Sequence, residues 1–187
     1  ADKIIAVSEQ TKRDIIDFFS ISADRISVVY QGCNTVFQSK VAEDKKQLTI
    51  AKYKLPKDYL LYVGTIEERK NLLTLLQTLA EMPSQKLVVI GDGKSYKIKC
   101  LRFIAKNKLS DRVLFLSGLS LEEMAVIYQS AQIMIYPSIF EGLGIPILEA
   151  LFSKPPVITS EGGCFWESGG PNSKYINPLS VLDMKKA

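Results

Sequence analysis

The sequence predicts an α/β protein built on a doubly wound parallel sheet, and three observations predict it. Short apolar runs that suit strands buried on both faces recur at Tyr59 to Val63, Lys86 to Ile90, Val113 to Leu116, Ile133 to Tyr136 and Val157 to Thr159. They alternate with segments of helical period, and no repeat or low-complexity stretch breaks the alternation. With 187 residues and 47% apolar content, the chain can bury the core of one domain, or of one domain plus a piece of another.

Composition narrows the function classes. The net charge of +4 comes from Lys and Arg dispersed among acidic residues, without the basic stripe and interleaved aromatics of a nucleic-acid protein. An anionic nucleotide substrate or a membrane surface is compatible with that charge. No apolar run approaches the ~20 residues of a membrane helix, and no basic and apolar leader opens the sequence. Cys33, Cys100 and Cys164 are odd in number and far apart, which suits reduced thiols in the cytoplasm. Without a His or a ligand-like cluster, a zinc site is not expected.

Taken in order, Ile4 to Val7 reads as a strand. Ser8 is the N-cap of a helix whose apolar side is Ile15, Ile16, Phe18 and Phe19. Ile26 to Tyr30 is the next strand, ending at Gln31-Gly32-Cys33-Asn34. A strand beginning so near the first residue lacks the neighbours that preceding chain would supply. Residues 38–57 are polar and Lys-rich; they read as a connector, with Val41 to Leu55 at most partly helical.

Tyr59 to Val63 ends at Gly64, a residue that permits close ligand approach where parallel strands bind ligands, at their carboxyl ends. A helix to about Met82 buries Leu72, Leu73, Leu75, Leu76 and Leu79. Arg69 and Lys70 at its start are disfavoured by the helix dipole unless an anion offsets them, which marks a phosphate role. Lys86 to Ile90 ends in Gly91-Asp92-Gly93, which lacks the third glycine of a dinucleotide fingerprint and also fits a plain tight turn. Tyr96 to Lys106 is a helix with a wet basic face. After Val113 to Leu116, Ser117-Gly118 ends the strand, and Ser120-Leu121-Glu122-Glu123 makes a capping box for a helix carrying Met124, Ile127 and Tyr128 inward to about Ser130.

Ile133 to Thr159 is the stretch richest in chemistry. Between its two strands, Pro146 suits a first helical position, and Ile147, Leu148, Ala150 and Leu151 face a core. Gly142-Leu143-Gly144 lets backbone approach a ligand, and the free amides of the helix start favour an anion. Glu141 and Glu149 bracket that seat. Like charge keeps them off a phosphate; they suit hydroxyls on either side of a diphosphate, or else a loop cap and a solvated helix residue. Beyond it, Phe152-Ser153-Lys154-Pro155-Pro156 closes the helix; a left-handed cap at Lys154 would cost on the order of 1 kcal/mol, the alternative being a different turn. Trp166 in the Glu161 to Glu167 loop fits a packing anchor better than a base stacker. Lys174 to Ile176 is a last strand, and Ser180 caps a last helix.

The run FEGLGIPILEA, Phe140 to Ala150, resembles the E-x7-E signature of retaining glycosyltransferases of family 4, which have the GT-B fold. VGTIEERKNLL, Val63 to Leu73, resembles the strand, loop and Arg-Lys element of the same family, although Thr65 stands where many members carry a second basic residue. The resemblance implies a Rossmann-like C-terminal domain over residues 37–187, and identifies IIAVSEQTKRDI and ISVVYQGCN, residues 1–36, as the tail of an N-terminal domain whose remainder is missing. It implies a nucleotide-diphosphate sugar as donor. Lys70, helped by Arg69, would meet the diphosphate, Glu141 the transferred sugar near the reacting carbon, and Glu149 the ribose. Amides of Gly142, Leu143 and Gly144 would meet sugar and diphosphate, while Gly64, Gly91 and the loop around Gly118 would border the nucleotide. Glu141 and Lys70 would be the catalytic residues. No DxD motif is present, so no catalytic metal or other cofactor is implied. The wording RKN leans towards a mannosyltransferase of surface-polysaccharide assembly. Partners are the nucleotide sugar and the missing domain, through which the protein could sit on the inner membrane face. Rival readings are a nucleotide-sugar 2-epimerase, disfavoured by the absence of His, and a non-catalytic nucleotide-binding module.

Overall fold

In the computed structural model, which describes residues 2–187, each buried apolar run becomes a strand. The chain opens with β1 (Ile4–Ala6), α1 (Glu9–Phe19) and β2 (Ile26–Val28), then α2 (Glu43–Tyr53). The sheet proper is built from β3 (Tyr59–Val63), β4 (Lys86–Ile90), β5 (Val113–Leu116), β6 (Ile133–Tyr136), β7 (Val157–Ser160) and β8 (Lys174–Ile176). Helices α3 (Leu72–Ala80), α4 (Ser95–Lys106), α5 (Leu121–Ser130), α6 (Ile145–Ser153), α7 (Phe165–Gly169) and α8 (Val181–Lys186) complete it.

The six strands lie in the order β5-β4-β3-β6-β7-β8, all parallel, while β1 and β2 pair separately. β3 shows why its sequence is apolar throughout. Tyr59, Leu61 and Val63 join a core with Ile127, Tyr128, Ile147 and Ala150, from α5 and α6. Leu60 and Tyr62 point the other way, to Leu72, Leu75, Leu76 and Leu79 of α3, Cys100 of α4 and Met184 of α8. Strand side chains alternate, so a strand covered on both faces has no polar side to keep. Each such Leu contributes roughly 1.5–3 kcal/mol of burial.

Winding starts at β3 and runs outward in both directions, so the strand order reverses between β3 and β6. Such a reversal leaves a crevice beyond the carboxyl ends of the two strands, where sheets of this type hold ligands.

Several expectations change. The predicted connector contains α2, which lacks a side-chain N-cap and is fixed by docking: Lys52 and Tyr53 reach Glu123 of α5 at 2.6 and 2.8 Å. Tertiary contact, more than propensity, makes a short charged helix stable. The apolar side predicted for α1 is not buried, with Phe18 78% and Phe19 72% exposed. β1 and β2 end earlier than the sequence suggests. α6 begins at Ile145, so Pro146 takes the second helical position, where its missing N–H also costs nothing. Lys154 does adopt the left-handed cap, with φ 78°. Among the described residues no helix is long and apolar enough to cross a membrane.

Candidate donor site at the carboxyl ends of β3 and β6

After β3 the chain turns at Gly64, whose φ of 149° favours glycine. A Cβ there would stand 3.5 Å from Cδ of Lys70, so the lysine stem lies over this glycine. Glu68–Lys70 forms a 3-10 turn, and Asn71, left-handed at φ 56°, ends it and starts α3. Asn71 then ties two loops together. Its Nδ2 donates to the carbonyls of Pro137 (3.2 Å) and Pro178 (2.6 Å), and Ile139 N donates to Arg69 O at 2.7 Å. The loop after β3 is thereby laced to the loop after β6.

Lacing brings charge together. Lys70 Nζ lies 2.6 Å from Glu141 Oε1 and donates to the Tyr136 hydroxyl at 2.6 Å. Arg69 Nη1 lies 2.9 Å from Glu141 Oε2 and donates to Phe140 O, while its Nη2 pairs with Glu67 at 2.7 Å. The side chains of Lys70 and Glu141 are only 9% and 10% exposed. Burial pushes the Glu141 carboxyl up, but Lys70 first, then the Ser138 hydroxyl and then Arg69 outweigh it and hold its pKa below the usual carboxylate value. A carboxylate and two cations therefore share the crevice at the winding reversal.

The next residues form the turn into α6. Three carbonyls here are spoken for: Glu141 O accepts from Cys164 Sγ (3.2 Å), Gly142 O from the hydroxyls of Ser8 (2.6 Å) and Thr11 (3.1 Å), and Gly144 O from Ile147 N (2.9 Å). The amides are not. Those of Gly142, Leu143 and Gly144 have no acceptor among the described residues. Successive unpaired N–H groups at a helix start are a seat for an anion. Leu143 is buried, 5% exposed, with its side chain turned into the protein. Gly144, at φ 92°, would bring a Cβ within 3.3 Å of Ser168 Oγ.

Glu149 occupies a separate station. Its Oε2 accepts a 2.8 Å hydrogen bond from the Tyr128 hydroxyl of α5, and no cation pairs with it among the described residues. Burial pushes its pKa above the usual value, a rise the Tyr128 bond partly offsets.

Of the predicted site residues, Gly64, Arg69, Lys70 and Glu141 meet directly, and Glu141 leads straight into Gly142-Leu143-Gly144. Gly91 adjoins them through Gly64: a Cβ on Gly91 would fall 2.0 Å from Gly64 O, so the approach of β3 to β4 itself demands glycine there. Gly118 follows the edge strand β5 with φ 68° and open space around it.

Sequence reasoning missed the supports. Tyr136 and Tyr128 had been read only as core. Ser8 was read as a cap, which it is, since it accepts from Thr11 N at 3.0 Å; its bond to Gly142 had no local signal. Glu167 of α7 accepts from Glu9 N (2.7 Å), Gln10 N (3.0 Å) and the Tyr30 hydroxyl (2.9 Å), fastening the start of α1 beside the loop. Trp166 is 60% exposed and lies against Tyr175 with ring centroids 5.0 Å apart, a surface contact rather than a buried anchor.

Comparison with known proteins follows the same line. The model of the family described as glycosyl transferases group 1 matches residues 42–173. O-antigen chain mannosyltransferase RfbU of Salmonella typhimurium is 29% identical over 176 residues, covering 94% of this chain and 46% of that protein. O-antigen chain mannosyltransferase B of Escherichia coli is 28% identical over 187 residues, covering 97% and 49%. This chain thus spans about half the length of those relatives. The fold matches the crystal structure of a glycosyltransferase from Rickettsia africae with a TM-score of 0.89 at 22% identity, over 99% of this chain and 52% of that one. It matches Anabaena Alr3699/HepE, solved in complex with UDP and glucose, with a TM-score of 0.87 at 18% identity, over 100% and 52%.

Proposed function

The chain belongs to the glycosyl transferases group 1 family, and from that premise we infer that it is the donor-binding part of an enzyme moving a sugar from a nucleotide-diphosphate sugar to a glycan or lipid-linked acceptor. The observation that carries the reading is the meeting of Lys70, Arg69 and Glu141 at the winding reversal, beside three unpaired amides at the start of α6. In the transfer, the bond between the sugar's anomeric carbon and the diphosphate oxygen breaks, a bond to an acceptor oxygen forms, and the acceptor's proton leaves with the diphosphate. Negative charge grows on the departing diphosphate. Lys70 and Arg69 meet that charge from one side and the Gly142 to Gly144 amides from the other, an electrostatic contribution that increases towards the transition state. Glu141 holds the sugar beside the reacting carbon, and Glu149 accepts from the ribose. This division of labour uses residues alone to neutralise the diphosphate.

Likeness to two O-antigen mannosyltransferases favours a mannosyl donor and a surface polysaccharide as product; the resemblance of Phe140 to Ala150 to the E-x7-E signature favours retention at the anomeric carbon. Three unpaired cysteines and a nucleotide donor favour the cytoplasm. The remaining length of the relatives corresponds to a further domain that supplies the acceptor side. Calorimetric titration of this chain with UDP, GDP and ADP tests the donor reading. One of the three should bind, and Lys70→Ala should weaken it at least about tenfold, as expected for loss of a charge-assisted contact. No heat with any of them defeats the reading. For the catalytic role, Glu141→Ala in the longer parent should cut transfer about a hundredfold; unchanged transfer removes Glu141 from the chemistry.

A further inference from the structure

We propose that Tyr128 is a positioning residue for ribose recognition: its buried hydroxyl pins one oxygen of Glu149 so that the other is held out to the sugar hydroxyls of the nucleotide. The proposal rests on the ribose role given above to Glu149 and adds a residue that touches no ligand itself.

The geometry begins in α5, where Ala125, Val126, Ile127 and Tyr128 form a fully buried run. Tyr128 is 0% exposed, and its ring meets that of Phe37, also 0% exposed, edge-on at 5.4 Å and 82°. A ring so enclosed has no alternative place to send its hydroxyl. The hydroxyl reaches across to α6 and donates to Glu149 Oε2 at 2.8 Å. Glu149 is half-buried, and its side chain has three rotatable bonds and no cation to fix it. An ionised carboxylate only accepts, so one oxygen taken by Tyr128 leaves the other to receive ligand hydroxyls. Recognition groups work when their own rotamers are locked by packing and hydrogen bonds from behind, and Tyr128 supplies that lock. The same bond favours the charged carboxylate that burial opposes.

A hydroxyl that merely satisfied itself on a nearby carboxylate would look similar in a static structure, so the test reads the ribose contribution alone. Affinities of UDP, GDP and ADP are measured by calorimetry against inorganic pyrophosphate for the native chain, Y128F, E149A and the double variant. Expected are an about tenfold loss of nucleoside diphosphate affinity in Y128F with pyrophosphate binding unchanged, the size of one hydrogen bond to a charged group. The double variant should bind no more weakly than E149A, because Tyr128 acts through Glu149. Native affinity in Y128F, an equal loss for pyrophosphate, or additive losses in the double variant would each overturn the proposal. If E149A keeps the nucleoside advantage over pyrophosphate, the ribose role of Glu149 is wrong and the proposal falls with it. If the native chain binds none of these probes, the donor reading itself is wrong. Should Y128F not fold, infrared difference spectra of the native chain with ring-labelled tyrosine, referenced to E149A, decide instead. A tyrosine C–O stretch that shifts with UDP, GDP or ADP and not with pyrophosphate supports the proposal; any other response overturns it.

Discussion

Glu141 meets two cations, Lys70 at 2.6 Å and Arg69 at 2.9 Å, whereas Glu149, eight residues later, meets a tyrosine hydroxyl and no cation. Both are half-buried carboxylates flanking the same first turn of α6. Burial pushes both up, but Lys70, with the Ser138 hydroxyl and Arg69 behind it, pulls Glu141 below its ordinary pKa, while the single hydroxyl leaves Glu149 above it. One glutamate is therefore part of a charge cluster that a diphosphate and its leaving-group chemistry can engage. The other is a nearly isolated acceptor suited to neutral hydroxyls. Residue type did not assign these roles; the elements packed around each residue did.

The largest effect should come from breaking the charged station. Lys70→Met leaves Glu141 with Arg69 alone and removes the donor to Tyr136, and should lower stability by about 3 kcal/mol in urea unfolding, in the range for cutting one partner out of a buried pair. A loss under about 1 kcal/mol would put the pair in the class of weak surface bridges.

The second effect is one of sign. Glu141 has a folded pKa below its ordinary 4.5, so it contributes stability that is present above pH 4.5 and lost as pH falls through the folded value. Glu149 has a folded pKa above 4.5, so its contribution is present below 4.5 and lost as pH rises through the folded value. Glu141→Gln should therefore cost most at pH 7 and less towards pH 3. Glu149→Gln should become less costly, or turn stabilising, between pH 4 and pH 7. Unfolding curves of the two variants against the native chain at pH 3, 4, 5 and 7 read this directly, and parallel profiles would erase the contrast.

The smallest effect lies at the far end of α6, the helix that carries Glu149. Lys154 is held at φ 78° with its amide bonded to Leu151 O. Lys154→Gly should raise stability by about 0.5 kcal/mol by relieving left-handed strain, less what glycine gains in the unfolded chain. Nucleotide binding at either glutamate should not change, since Lys154 touches neither.

The elements were largely legible before any coordinates, because they depend on neighbours within a turn or a pleat. The Ser120 capping box forms with both of its bonds, and the five apolar runs become five adjacent strands of the sheet. The left-handed stop at Lys154 was expected only from the resemblance, and the structure adopts it. Where local signals were faint, the reading failed. α2 has no side-chain cap and a mostly charged surface, so the sequence allowed only a partly helical connector over Val41 to Leu55, and docking on Glu123 fixes the full helix. The stripe on α1 was real in period, yet nothing among the described residues covers Phe18 and Phe19.

By itself, the sequence determined the order of strands and helices, the stop and start of most of them, and which residues carry charge or free amides near a helix start. Only the tertiary structure decided who faces whom. Lys70 reaches Tyr136 across 66 positions, Tyr128 reaches Glu149 across 21, and Ser8 reaches Gly142 across 134. The reason is physical: periodicity and capping act over three or four residues, whereas these meetings exist because whole elements pack together, β6 beside β3 for Lys70, α6 against α5 for Tyr128 and the start of α1 against the loop before α6 for Ser8.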